Sequence, residues 1–131
     1  MSRTFIDQLQ DLKDKLARMS AMVQQLVEKS VDALYACDGQ LARSMIESDI
    51  RIDDEEVKIE QQAINLLALH QPAASDLRLI TTVIKVNADL ERIADCAVNI
   101  AQRVIMLDQI GDYETPSDLR LMGNSVVTTL R

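Results

Sequence analysis

From Phe5 to Ala33, apolar or small residues recur as Phe5, Leu9, Leu12, Leu16, Met19, Val23, Leu26, Ser30 and Ala33, in alternating steps of four and three. Gln, Asp and Lys fill the intervals. Only an α-helix returns side chains to one face at that spacing, and a stripe sustained so far requires long, coiled-coil-like packing against another helix. The first helix is predicted over residues 3–37, close to 50 Å at about 1.5 Å per residue. Three Gly and two Pro in 131 residues leave few places to turn, so the elements must be few and long. The core is built from Leu, Ile, Val, Ala and Met, with one Phe, two Tyr and no Trp. That composition suits packed helices in one domain.

Asp38 and Gly39 supply a tight turn, with Asp38 able to cap the next helix. The second helix is predicted over 40–70, with Met45, Ile52, Ile59 and Leu66 marking its buried spine every seven residues. Pro72 stops it and suits the first turn of a third helix over 72–107, where Asp76 places negative charge favourably. Two apolar stripes run along this third segment. Leu79, Val83, Val86, Leu90, Ile93, Ala97, Ile100, Val104 and Leu107 form one, and Leu77, Ile80, Ile84, Ala94, Val98, Ala101 and Ile105 form the other. So wide an arc must touch two other helices. The predicted fold is therefore all-α, an antiparallel three-helix bundle over residues 1–110. Residues 111–131 read as a loop and the start of a short fourth helix, opening at Thr115 and Pro116 and carrying Leu119, Met122, Val126 and Leu130. An apolar face of that kind favours a homodimer.

The net charge of −7 argues against sequence-independent nucleic-acid binding, which requires a basic face. No apolar run reaches the roughly 18 residues of a spanning helix, and no leader pattern opens the chain, so a cytoplasmic location is expected. Cys37 and Cys96 stand in dissimilar contexts with no CxxC spacing and are expected to be reduced and structural.

Within the second helix, the register puts Ala42, Asp49, Glu56, Ala63 and His70 at the other core-facing position. Asp49 and Glu56 thus stand where apolar residues belong, and Asp53 and Glu60 extend them into a carboxylate stripe. Glu91 and Asp95 repeat the i, i+4 pair in the third helix, beside Asn87 and Asn99. Asp53 lies as far before Pro72 as Glu91 lies after it, so antiparallel packing brings the two pairs nearly level. Clustered like charges repel and need compensation, either from Arg51, Lys58, Arg78, Lys85 or Arg92 or from a cation. An oxygen-only donor set favours hard ions such as Mg²⁺, Mn²⁺, Ca²⁺ or ferric iron over tetrahedral zinc. The Glu-x-x-His pattern of di-iron oxidases is missing, and the one histidine, His70, falls at a helix end as a capping or surface residue.

The stretch QPAASDLRLITTVIKVNADLERIADCAVNIA, Gln71 to Ala101, together with the Asp49 and Asp53 pair before it, resembles the PhoU family of phosphate-signalling regulators. The resemblance extends over roughly residues 5–110 and includes Pro72, Asp76, Leu77, Arg78, Asn87, the Leu90 to Ile93 block and Asn99. It implies a three-helix repeat in which Asp49, Asp53, Glu91 and Asp95 bind metal ions, with iron, manganese, magnesium and zinc as candidates. Ala94 and Cys96 depart from the Gly and His that commonly flank the aspartate in that family. Such proteins usually hold two bundles in tandem, so residues 111–131 read as the beginning of a truncated second repeat.

With no Ser/His/Asp arrangement, Gly-rich phosphate loop or Cys/His pair, a non-enzymatic role is expected. The resemblance implies a negative regulator of phosphate uptake, an adaptor between the ATPase of a phosphate ABC transporter and a sensor histidine kinase. It would reach the membrane only through those partners. The competing readings are a helical scaffold without metal and a carboxylate-bridged metal oxidase.

Overall fold

A computed structural model describes residues 3–110 as three α-helices: α1 (Arg3–Ala36), α2 (Gly39–His70) and α3 (Ala74–Ile110). Each packs against both of the others, in the antiparallel bundle that the apolar spacing requires. The α1 stripe is buried throughout except at Leu16, which packs half-buried against the core. Along α2 the interior takes Ala42, Met45, Ile52, Ile59, Ala63 and Leu66. The expected loop and fourth helix of residues 111–131 lie outside the described residues.

Three details differ from the sequence reading. The first turn is made at Cys37 (φ 50°), not at Gly39, which already belongs to α2. The Asp38 N–H donates to the Ala33 carbonyl at 2.9 Å, a Schellman-type closure in which a non-glycine residue takes the left-handed position at a cost of about 1 kcal/mol. Asp38 caps α2 as its sequence position suggests, its carboxylate accepting from the Leu41 N–H at 3.1 Å. Gly39 serves a different purpose, because a Cβ there would run into the Asp108 carboxylate of α3.

At the second turn, α3 begins at Ala74 and not at Pro72. Proline's ring disfavours the helical region for the residue before it, and Gln71 swings to φ 42°, ψ 62° as the C-cap of α2. Ala73 then accepts the first α3 hydrogen bond, from the Leu77 N–H at 2.8 Å, leaving Pro72 outside the helix. At its far end α3 continues three residues past the expected Leu107, to Ile110.

The third departure lies in the core line of α3, which runs between the two apolar stripes. Ile80, Val83, Asn87, Leu90, Ala94, Ala97, Ala101 and Val104 are buried, while Leu77 and Val86 are exposed. The outer members of a wide arc reach past the contact with either partner helix. At the closed end of α2, His70 stacks on Phe5 with ring centroids 5.0 Å apart, and its Nε2 lies 3.2 Å from Gln8 Oε1. It joins two helices there.

Candidate metal centre

The four acids singled out by spacing come together across the α2/α3 seam. Asp49 and Asp53 stand one turn apart on α2 because the Met45–Ile52–Ile59 spine, turned toward the core, holds them at its edge. Glu91 and Asp95 stand one turn apart on α3, held in the same way by Leu90, Ala94 and Ala97. One oxygen each of Asp49, Asp53 and Asp95 lie within 4.8 Å of one another, with Asp49 half-buried and the other two exposed. Glu91 is half-buried and its carboxyl bonds to Asp53.

The electrostatics are those of a site short of positive charge. Burial, and then the hydrogen bond to Asp53 with the charges of Asp53, Asp95 and Asp49, pushes Glu91 up to about 8. Asp49 is raised above its ordinary range by burial and by Asp53 and Asp95. Glu56, one turn along α2, is raised by burial and by Glu60 and Asp53. Asp49 Oδ1 and Glu91 Oε2 are buried with no hydrogen-bond donor among the described residues. Orphaned acceptors of this kind cost about 1–3 kcal/mol each, more when charged.

The basic side chains named as possible partners do not go to these acids. The ion pairs among the described residues join Lys15 to Asp11, Lys58 to Glu55 and Arg92 to Asp89, each within one helix. A hard cation fits this donor set: it would accept the buried lone pairs directly and displace the proton that Glu91 otherwise retains.

The flanking residues sort differently from their spacing. Asn87 is fully buried and donates its amide to the Glu56 main-chain carbonyl at 2.9 Å, so it ties α3 to α2 beside the acids. Asn99 is exposed. Cys96 is exposed and outside the convergent group, and Cys37 is likewise a free thiol. Sequence reasoning passed over the other seam of α2, where Gln62 donates to Asp11 at 3.1 Å and to the Gln8 carbonyl at 3.2 Å, while Lys15 donates to Gln62 at 2.7 Å. The legible signal was the spacing of Gln8, Asp11 and Lys15 along one edge of α1.

The fold and this site together define a class: a small bundle of long antiparallel helices carrying an oxygen-donor centre on one seam. The PhoU domain family matches residues 16–104, and the chain belongs to the PhoU family. It is 41% identical over 100 residues to the phosphate-specific transport system accessory protein PhoU homologue of Aquifex aeolicus, covering 76% of this chain and 45% of that protein. Against the Pseudomonas putida homologue it is 37% identical over 134 residues, covering 100% of this chain and 52% of the relative. The crystal structure of PhoU from Pseudomonas aeruginosa superimposes with a TM-score of 0.92 at 36% identity, covering 96% of this chain and 61% of that one. The chain thus spans about half the length of the curated relatives it matches.

Proposed function

We propose that this chain is a metal-binding, non-catalytic regulator of phosphate uptake, with Asp49, Asp53, Glu91 and Asp95 as the ligands. The observation that carries the metal reading is the convergence of four carboxylates from two helices, two of them with buried oxygens that have no partner among the described residues, none of whose basic side chains forms an ion pair with these acids. The phosphate reading rests on the relatives, named as phosphate-specific transport system accessory proteins.

In this reading iron, manganese, magnesium or zinc would neutralise the seam and lock α2 to α3. The bundle would act as an adaptor between a transporter ATPase and a sensor histidine kinase, as a cytoplasmic homodimer repressing phosphate-starvation signalling. Among the described residues no helix is long and apolar enough to cross a membrane, which is compatible with that role.

The test is elemental analysis of the purified chain after loading with each metal and desalting. The Glu91→Ala, Asp95→Ala double variant should retain its helical circular dichroism and lose metal uptake. Undiminished metal content in that variant would overturn the assignment. Association with the transporter ATPase and the kinase is read separately, by pull-down with and without metal.

A further inference from the structure

On the side of α2 away from the acids, α1 and α2 enclose an open trough of about 540 Å³ bordered by Lys15, Arg18, Arg51 and Lys58. It runs into a second hollow of about 150 Å³ beside Lys29 and Ser48, with Met22 and Arg51 shared between the two. The acids on its border are Asp54 and Glu55. With Lys15 already paired to Asp11 at 3.1 Å, the remaining four cations still outnumber the two acids of the border, so the trough is basic in a chain of net charge −7.

The cations are also available. Arg18, Arg51, Lys29 and Lys58 are exposed. Among the described residues Arg18, Arg51 and Lys29 are in no ion pair, and Lys58 reaches Glu55 only at 3.9 Å. Lys15, Arg18, Met22 and Lys29 recur at steps of three, four and seven, and Ser48, Arg51 and Lys58 follow the same rule on the antiparallel helix. Lys15 to Lys29 therefore spans about 21 Å, the length of about four helical turns. The floor is apolar, with Met22 half-buried over Leu26 and Ile52.

We propose that the α1/α2 seam is a docking groove for an acidic amphipathic helix of a partner protein, lying against the bundle as a fourth helix. A trough of this length is far larger than a single small anion. Cations along both banks select acidic side chains at helical spacing, and Met22 offers a polarizable contact for one apolar residue between them. Guanidinium groups in no ion pair among the described residues can take carboxylates in bidentate geometry. The use of the groove by the cell rests on the adaptor reading above, whereas its binding chemistry is independent of the metal.

The test is fluorescence anisotropy of the full chain with a labelled peptide of about four turns carrying Glu at the positions facing the groove and Leu between them. A matched peptide with Lys for Glu is the control. The Glu peptide should bind and weaken as salt rises, and the Arg18→Glu, Arg51→Glu variant should lose roughly tenfold or more in affinity. That variant should keep its metal uptake, and the Glu91→Ala, Asp95→Ala variant should keep its peptide binding, so failure of one reading is separable from failure of the other. Equal binding of the Lys peptide, or unchanged binding by the charge-reversed protein, would overturn the proposal. Tighter occupancy by inorganic polyphosphate would overturn it in favour of a non-protein anion. Self-association abolished by the same charge reversal would overturn it in favour of a second copy of this chain.

Discussion

The two seams of α2 are built from the same kind of helix and solve opposite problems. Toward α1, polar groups find each other: Gln62, Asp11, Lys15 and the Gln8 carbonyl are joined across the seam at 2.7–3.2 Å. Toward α3, carboxylates face carboxylates, and Asp49 and Glu91 keep buried oxygens without donors. Where Gln62 meets α1, the first seam is satisfied by the chain's own groups. The other is complete only with something added, either protons or a cation. A helix can carry two such edges because its side chains fan around the axis while one narrow stripe does the packing.

The largest effect is expected on removing the Asn87 hydrogen bond that crosses the acidic seam. Asn87→Ala deletes a buried amide and leaves the Glu56 carbonyl without it, and should cost about 2–3 kcal/mol in denaturant unfolding. Metal uptake should persist, because Asn87 is a strut and not a ligand. A cost near zero would mean that the seam is held by other contacts.

A second test uses pH, since the seams respond with opposite sign. Glu91 is raised from 4.5 to about 8, so between those values the folded protein holds the proton that the unfolded chain has lost. Without metal, stability should therefore fall as pH rises from 4.5 to 8, by about 1–2 kcal/mol once solvent screening is allowed for. Glu91→Gln should flatten that slope, and saturating metal should reverse its effect. Asp11 is lowered by its hydrogen bonds to Gln62 and Lys15 and by the charges of Lys15 and Arg18. Its contribution is present above 3.8 and lost as pH falls below it. Thermal unfolding across pH, with and without metal, separates the two.

The smallest expected effect is on the satisfied seam. Gln62→Ala removes the side chain that links Lys15, Asp11 and Gln8, yet these groups are mostly wet and can turn to water. The loss should be about 1 kcal/mol, with no change in metal response. A loss as large as that of Asn87→Ala would erase the distinction between the seams.

Much of this was legible in the residues. The four-and-three spacing of α1 and the seven-residue spine of α2 gave helix type, length and buried face, because a long amphipathic stripe has only one regular solution. The equal distances of Asp53 and Glu91 from Pro72 placed the two acidic pairs nearly level, since a short turn between long helices leaves the register little freedom. The turn chemistry was harder to read. Gly39 looked like the turn residue, but Cys37 turns, and the missing Cβ of Gly39 instead makes room for the side chain of Asp108, which belongs to a distant part of the chain.

By itself, then, the sequence determined a bundle of three long helices and the four acids at its edge, since helical periodicity is a local property that residues along one segment settle among themselves. Only the tertiary structure decided that Asn87 is a buried tie and not a further donor on the acidic face, that Leu77 and Val86 fall outside the core, and that Arg18 and Arg51 meet in one groove. Those outcomes depend on which part of a neighbouring helix arrives opposite a given side chain, and that is set by packing across the whole bundle.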